Sequence, residues 1–158
     1  MTLLVYIFII VATFFIMEAV AWTIHKYVMH GILWSLHSDH HVKEDGFFEK
    51  NDAFLFIFAI PSWLCIMLGM IYAQYAAVAV GMGIALYGMV YFIVHDIFIH
   101  QRFKWLRKTD NAYLRAIRKA HKIHHKHLGK AEGECFGMLL VPTKYLEEAK
   151  KTSKVTKR

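Results

Sequence analysis

The chain has 158 residues, a length that predicts one domain over 1–158, and its 57% hydrophobic residues exceed the ~45–50% typical of soluble domains. This composition excludes a disordered chain, a secreted disulfide scaffold and a soluble helical bundle, and it indicates membrane lipid as the surroundings. The net charge is uneven, −4 over residues 1–100 and +11 over 101–158, and basic residues that follow apolar runs indicate a cytoplasmic face rather than nucleic-acid binding.

Three apolar segments are long enough to cross a membrane. The first is Leu3–Ile24, whose 22 residues at ~1.5 Å each reach ~33 Å against a hydrocarbon core of ~30 Å. Residues 53–99 contain no Lys, Arg or Glu and would reach ~70 Å as one helix, so this stretch must fold back. The polar break at residues 73–75 predicts a second span at about 54–72 and a third at about 76–98.

Beyond the spans, the sequence predicts one basic helix and a tail. Thr109, Asp110 and Asn111 are candidate N-caps for a helix from Ala112 to about His127. Residues 142–158 are basic and are expected to be a frayed, flexible tail. The fold class is therefore all-α, with about three transmembrane helices and further interfacial or cytoplasmic helices. The positive-inside rule places the N-terminus outside and the basic segment in the cytoplasm.

Histidine is the most unusual feature, with 11 residues in the chain. Ten of them form two H-x4-H pairs and two H-x2-H-H triads, which alternate and occur twice in the same order. The pairs and triads are His25 and His30; His37, His40 and His41; His95 and His100; His121, His124 and His125. With the predicted topology, all four motifs emerge at one membrane face. The remaining histidine, His127, is interpreted as an ordinary interfacial side chain.

The spacing of these histidines indicates metal binding. Positions i, i+3 and i+4 share a helix face, so each triad is expected to aim three imidazoles into one volume. Positions i and i+5 lie ~140° apart on a straight helix, so each pair meets one ion only if the helix bulges, and otherwise serves two ions. Ten imidazoles are too many for one metal and about right for two.

The residue types narrow the class of metal site. Imidazole suits Zn, Cu, Fe and Ni, so ligand chemistry leaves the metal open. No Glu-x-x-His is present, which excludes the soluble di-iron bundles, and no His-Glu-x-x-His is present, which excludes zinc proteases of that type. A bis-histidine haem would leave eight histidines without a purpose, whereas a paired non-haem iron centre accounts for all ten.

The motif order, with the strings HKYVMHGILWSLHSDHH, HDIFIHQRF and KAHKIHHKHLGKAEGECFGML, resembles the bacterial beta-carotene hydroxylases of the fatty-acid hydroxylase superfamily of membrane di-iron oxygenases. The resemblance covers about residues 17–141, and no motif histidine departs from the pattern. It implies that the ten histidines hold two iron ions and that O2 is the co-substrate. The implied reaction is hydroxylation of carbon 3 of the beta-ionone rings of beta-carotene, giving beta-cryptoxanthin and then zeaxanthin.

The resemblance also implies a location and partners. The membrane would be the bacterial inner membrane, and the apolar carotenoid would enter sideways from the bilayer. The chain has no G-x-G-x-x-G fingerprint and no cysteine set for an iron–sulfur cluster, so electrons would come from a ferredoxin with an NADPH-dependent reductase. The basic residues after the third span would attract an acidic donor, or serve membrane orientation alone; they are Arg102, Lys104, Arg107, Lys108, Arg115 and Arg118.

Three acidic residues are candidates to support the ligands. Glu18 lies within the first span, where a carboxyl group is costly, and seven residues before His25 on nearly the same helix face. A hydrogen bond from the N–H of a ligand histidine to Glu18 would fix the histidine's tautomer, and Asp39 and Asp96 are similar candidates within the motifs.

The histidine motifs indicate which oxidant the protein uses but not which substrate it acts on. A fatty-acid or sterol hydroxylase, or a carotenoid ketolase, of the same superfamily therefore stays open. A non-catalytic, histidine-rich metal-binding membrane protein is a third alternative from another class.

Overall fold

A computed structural model of the chain describes residues 2–42, 46–106, 108–129 and 133–155, with the backbone alone for 153–155. The described residues form helices and connecting loops without a strand, which confirms the all-α prediction. Three helices are long and apolar enough, by length and composition, to cross a membrane: Leu3–Ile32, Lys50–Ile71 and Tyr75–Ile99. The predicted number of spans is thus confirmed.

Two of these spans change from α-helix to π-helix at the same end. Helix α1, Leu3–Thr23, continues as a π-helical segment over Ile24–Ile32, and α4, Tyr75–Tyr91, continues as one over Phe92–Ile99. A π-helix is rare, and when it occurs it often marks a functional site. The first π-helical segment contains His25 and His30, and the second contains His95 and is followed directly by His100.

Helices α3, Phe54–Ile71, and α4 form a hairpin. The chain turns at Ala73, which has a positive φ of 52°, at the polar break that the sequence predicted. Small residues bring the spans together: Ser62 donates a hydrogen bond to the carbonyl of Gly81 at 2.8 Å, and a Cβ on Gly83 would lie 2.6 Å from Thr13 Cβ of α1. Such contacts drive helix packing in lipid, where no hydrophobic effect operates between helices.

Two short helical elements lie between the first and second spans. Helix α2, Trp34–His41, carries the first histidine triad, and a 3₁₀ turn, Lys50–Ala53, leads into α3. The amide of Glu49 donates to Asp52 and so caps that turn. These elements place the first triad beside the ends of α1 and α4.

Helix α5, Ala112–His124, carries the second triad. Its N-cap is Asn111, one of the three candidates, whose Oδ1 accepts from the amides of Tyr113 and Leu114 at 2.9 and 3.1 Å. The helix ends at His124, three residues before the predicted end.

The last helix differs from expectation. The sequence predicts a frayed tail over 142–158, whereas Thr143–Val155 form helix α6; residues 156–158 lie outside the described residues. Tyr145 and Ala149 of α6 are buried against Ala116 and Ala120 of α5, and the Tyr145 hydroxyl donates to Glu134 at 2.7 Å. The apolar stripe of α6 is short and flanked by charged residues, so the sequence gives only a weak indication of a docked helix. The structure thus docks the C-terminal helix onto the element that carries the second triad.

Candidate metal centre

The π-helical segments decide how the H-x4-H pairs are used. In a π-helix the amide of residue i+5 bonds the carbonyl of residue i, and the amide of His100 donates to the carbonyl of His95 at 2.9 Å. The same bond joins Leu33 to Val28 at 2.9 Å. The added residue in the turn rotates positions i and i+5 toward each other. Of the two alternatives that the spacing left open, the bulged helix is the one observed.

Five imidazoles converge in the first group, named cluster 1 here. Their ligand nitrogens all lie within 4.8 Å of one another. Neighbouring Nε2 atoms are separated by 3.1 Å for His25 and His37, 3.1 Å for His25 and His124, and 3.2 Å for His30 and His124. The members of cluster 1 are His25, His30, His37, His41 and His124.

The second group, cluster 2, collects the other histidines. Its Nε2 atoms lie 3.2 Å apart for His40 and His95 and 2.8 Å apart for His100 and His121. His125 stands beside this group, with its Nε2 2.8 Å from that of His121. The members of cluster 2 are His40, His95, His100 and His121, with His125 adjacent. The rings of His41 and His125 stack at 4.3 Å, so the clusters adjoin.

Each triad serves both clusters, which corrects the expectation of three imidazoles in one volume. In the first triad, His37 and His41 join cluster 1 and His40 joins cluster 2. In the second triad the roles are exchanged, because His124 joins cluster 1 while His121 and His125 belong with cluster 2. The reason is helical geometry: positions i and i+4 lie ~40° apart, whereas i+3 lies ~60° to the other side of i.

Backbone carbonyls orient three ligands of cluster 1. Nδ1 of His25 bonds the carbonyl of Phe136 at 2.8 Å, and Nδ1 of His124 bonds the carbonyl of Glu134 at 3.1 Å. Nδ1 of His30 bonds the carbonyl of Leu128 at 2.9 Å. Because a carbonyl oxygen only accepts, Nδ1 must carry the proton in each case. Nε2 is then left as a lone pair directed into the cluster.

Side-chain oxygens act in the same way on three more histidines. Nδ1 of His37 bonds Oδ1 of Asn51 at 2.7 Å, and Nδ1 of His40 bonds Oε2 of Glu49 at 2.8 Å. Nδ1 of His95 lies 3.3 Å from Oδ2 of Asp96. Partners of this kind fix the tautomer and ring orientation of metal-bound histidines.

This donor set fits metal ions. Two Nε2 lone pairs that face each other at ~3 Å repel unless a cation or a proton lies between them. Ligand nitrogens at ~2.1 Å from a metal lie about 3.0 Å apart at 90° and about 3.4 Å apart at 109°, close to the observed spacings of 2.8–3.2 Å between neighbouring Nε2 atoms. The nitrogens are therefore spaced as ligands of common ions.

Electrostatics also favours the neutral form of these histidines, which is the form that binds a metal ion. Burial lowers the pKa of His37 to about 4, although its bond with Asn51 opposes this, and burial lowers the pKa of His124 to about 3. Burial, followed by repulsion from His125, lowers the pKa of His41 to about 2, and the pKa values of His40 and His121 also lie well below the ordinary value. These imidazoles are therefore neutral at pH 7 and ready to bind a cation.

A family model described as "Fatty acid hydroxylase" matches residues 10–144, a range that contains both clusters. The chain belongs to the fatty acid hydroxylase family. Membership confirms the superfamily that the motif order suggested.

Several named relatives lie within this hydroxylase family. The chain is 34% identical to a beta-carotene hydroxylase of a Paracoccus species (strain N81106 / MBIC 01143), over 85% of this chain and 83% of that one. It is 39% identical to a beta-carotene hydroxylase of Pantoea ananas, over 80% and 71%, and 36% identical to a chloroplastic beta-carotene hydroxylase 2 of Capsicum annuum, over 78% and 40%. No solved structure matches the chain.

Two of the three acidic candidates lie next to a clustered histidine or to a residue that bonds one. Asp96 contacts His95, as predicted. Asp39 accepts from the amide of Lys50 instead, and so ties α2 to the turn that carries Glu49 and Asn51. In the described part of the chain no hydrogen bond joins Asp39 to a histidine.

Glu18 acts on a different partner from the one expected. Its Oε1 accepts from three consecutive amides, those of Met138, Leu139 and Leu140, at 2.9, 2.8 and 3.0 Å. Its Oε2 accepts from the hydroxyl of Tyr87 at 2.8 Å. Among the described contacts, Glu18 bonds no histidine. It holds the 134–140 segment, whose carbonyls orient His25 and His124, so its link to the ligands passes through the backbone.

Sequence reasoning missed Asn51, Glu49 and the role of Arg102. Arg102 pairs with Asp52 at 2.8 Å and with Asp96 at 3.1 Å, and lies 3.6 Å from Glu49. Burial alone would lower the pKa of Arg102, but these carboxylates raise it overall. No local sequence pattern predicts this network, because its members come from two distant segments, 49–52 and 96–102.

The network also changes the interpretation of the basic surface. Arg102 is engaged within the fold, Arg115 donates to the carbonyl of Ala149 at 2.7 Å, and Arg118 donates to the carbonyl of Phe98 at 2.9 Å. Arg107 lies outside the described residues. Of the six cations considered for donor attraction, three therefore have internal partners.

Proposed function

We propose that the protein is a beta-carotene 3-hydroxylase. The observation that supports this proposal most strongly is the pair of histidine clusters with convergent Nε2 lone pairs, in a chain whose relatives are named beta-carotene hydroxylases. The reaction replaces a C–H bond at carbon 3 of each beta-ionone ring by C–OH. It consumes one O2, two electrons and two protons per ring, releases one water, and gives beta-cryptoxanthin and then zeaxanthin.

Two iron ions would be held by the ten histidines, one in each cluster. Bound iron would supply the activation of O2, which no side chain provides. The described residues supply ligation, orientation and exclusion of water. The Nδ1 acceptors hold each imidazole in one tautomer, and the burial of His37 and His124, which are 1% and 0% exposed, keeps water from the ligands.

The carotenoid would reach the site from the bilayer, because it is as apolar as the lipid and its length is comparable to the ~30 Å core. Apolar side chains lie next to cluster 2. A small recess between the end of α4, α5 and the 135–141 segment is lined by Ile99, Ile117, Leu140 and Val141, with His121 at its wall.

The remaining parts of the proposal concern location and partners. The three spans would lie in the bacterial inner membrane, with the N-terminus outside and both clusters at the cytoplasmic face, as the basic C-terminal segment favours. A reduced ferredoxin, recharged by an NADPH-dependent reductase, would deliver the electrons. The exposed Lys104 and Lys108 would contribute to its attraction.

The name of the matching family model favours one second candidate, hydroxylation of a fatty-acid or other lipid chain at the same centre. Both candidates use the same ligands and differ in the substrate that fits beside them. Product analysis separates them.

The test is expression in a bacterial host that accumulates beta-carotene, followed by chromatography and mass analysis of the pigments. We expect beta-cryptoxanthin and zeaxanthin with the intact chain and with His127→Ala, because His127 belongs to neither cluster. We expect neither product with His124→Ala. Unchanged beta-carotene, with the protein present and iron-loaded, would reject the carotenoid assignment, and new hydroxylated lipids in that strain would support the second candidate.

A further inference from the structure

The two clusters differ in the groups that stand behind their ligands. In cluster 1, the Nδ1 partners are neutral: the carbonyl oxygens of Phe136, Leu128 and Glu134, and the amide oxygen of Asn51. In cluster 2, the two histidines with a described Nδ1 partner, His40 and His95, face carboxylates. Glu49 Oε2 lies 2.8 Å from His40 and Asp96 Oδ2 lies 3.3 Å from His95.

Arg102 holds the carboxylates in place. Its guanidinium bonds both oxygens of Asp52, at 2.8 and 3.0 Å, and Asp96 Oδ1 at 3.1 Å, and it lies 3.6 Å from Glu49. One positive charge faces three carboxyl groups, so the network that backs cluster 2 keeps an excess of negative charge. The side chains of Asp96 and Glu49, the two carboxylates that face histidines, are 16% and 26% exposed, which limits the screening of their charge by water.

A carboxylate behind an imidazole changes the metal that the imidazole binds. It draws the Nδ1 proton toward itself and makes Nε2 a stronger donor, and its charge attracts the cation through the ring. A neutral carbonyl orients the ring without adding a charge. The effect grows with the charge of the ion, so it favours Fe³⁺ over Fe²⁺.

We infer that the two metal sites are unequal, with cluster 2 holding the tighter-bound and more readily oxidised iron and cluster 1 the iron that is reduced first. Each site takes up one electron from the reductant, Fe³⁺ + e⁻ → Fe²⁺, and the half-reduced protein carries Fe²⁺ in cluster 1 and Fe³⁺ in cluster 2. This inference rests on the two-iron centre of the proposed function. It does not depend on which substrate is hydroxylated.

The chain offers a reciprocal pair of nearly isosteric variants. Glu49→Gln removes the carboxylate behind His40 of cluster 2, and Asn51→Asp installs one behind His37 of cluster 1. Asp96→Asn repeats the first change at His95. Asp52→Asn is the matched control, because it removes a carboxylate that bonds Arg102 and bonds no histidine in the described structure.

The measurement is a stepwise dithionite titration of protein loaded with ⁵⁷Fe, followed by Mössbauer spectroscopy, with iron content and Zn²⁺ affinity measured on the same samples. In the intact protein we expect two reduction steps. Glu49→Gln should weaken metal binding at one site by about 10–100-fold and move only the lower-potential step upward. If the loss is tenfold greater for Fe³⁺ than for Fe²⁺, the upward move is ~59 mV.

The reciprocal variant gives the decisive comparison. Asn51→Asp should move only the higher-potential step, and downward, whereas Asp52→Asn should move the steps less than Glu49→Gln. Asp96→Asn, at a separate ligand, keeps the test valid if Glu49→Gln fails to fold. A single reduction step in the intact protein, or Glu49→Gln and Asn51→Asp acting on the same step, would overturn the inference. Two unequal irons in a protein that hydroxylates no carotenoid would support the inference and reject the proposed substrate.

Discussion

Substitution of Glu18 by glutamine tests how a membrane-embedded carboxylate supports the metal centre. The side chain stays the same size, and its oxygen still faces the amides of Met138, Leu139 and Leu140. The change removes the negative charge that strengthens these three bonds. Gly137 shows how closely the segment approaches, because a Cβ there would lie 2.7 Å from Glu18 Oε1.

The magnitude follows from the three bonds. A hydrogen bond to a charged group contributes about 1.5–3 kcal/mol and a neutral one about 0.5–1.5 kcal/mol, so each bond weakens by about 1 kcal/mol. Three bonds together lose about 3 kcal/mol, which corresponds to a ~100-fold rise in the population of locally opened segment. Because the carbonyls of Glu134 and Phe136 belong to this segment, its opening also releases the Nδ1 groups of His124 and His25.

The assay is amide hydrogen exchange of the detergent-solubilised protein, with metal content measured in parallel. In Glu18→Gln we expect amide exchange at residues 138–140 to accelerate about 100-fold and metal content to fall. Tyr87→Phe, which removes the single bond to Oε2, should give a smaller acceleration. Ser62→Ala is the control, because the Ser62 hydroxyl donates to the carbonyl of Gly81 between the spans and has no described hydrogen bond to this segment. Unchanged exchange at residues 138–140 in both Glu18→Gln and Glu18→Ala would refute the argument.

Three further predictions concern the ligands, the spans and pH. In purified protein, His124→Ala should lower the bound metal measured by elemental analysis, whereas His127→Ala should leave it at the wild-type level. Gly83→Ala should destabilise the fold by about 1–3 kcal/mol and lower the Tm, because its Cβ would meet Thr13 at 2.6 Å, whereas Gly88→Ala meets nothing within 4 Å and should not. Metal added to apo-protein at pH 6 should release few protons into a weak indicator buffer, because burial lowers the pKa of the seven cluster histidines that lie outside the spans. Histidines of ordinary pKa ~6.5 would be about three-quarters protonated at pH 6, and seven of them would release about five protons, which would contradict the prediction. Since the lowered pKa values belong to the folded state, the unfolded chain binds more protons below pH ~6.5, and the stability of the apo-protein should fall as the pH falls from there toward 4.

Features that depend on the geometry of a single helix were predictable from the sequence. The span boundaries followed from apolar runs and a ~30 Å core. The helices Leu3–Thr23 and Phe54–Ile71, and the third span Tyr75–Ile99 with its π-helical end, begin and end close to the predicted positions. The dependence of the H-x4-H pairs on a bulge followed from the angle between positions i and i+5. Both arguments use only the geometry of one helix.

Features that join distant segments were not predictable in the same way. Asn51 meets His37 and Arg102 meets Asp52 because α2, the 3₁₀ turn and the end of α4 pack together. The bonds of Glu18 cross more than a hundred residues. A costly carboxyl group in a span indicated that Glu18 has a polar partner, but no periodicity identifies which amides supply it. The docking of α6 onto α5 was not predicted either, because the short apolar stripe of α6 does not identify its partner.

Because each triad contributes histidines to both clusters, the assembly of either metal site requires both halves of the sequence. Each half of the sequence builds most of one cluster and gives its i+3 histidine to the other: His40 leaves the first triad for cluster 2, and His124 leaves the second for cluster 1. Neither half therefore contains a full set of ligands. Cluster 1 needs α5 against the ends of α1 and α2, and cluster 2 needs α2 against the ends of α4 and α5. Binding of either metal therefore stabilises the packing of both halves, so metal affinity should be coupled to the folding of the elements that carry the histidines.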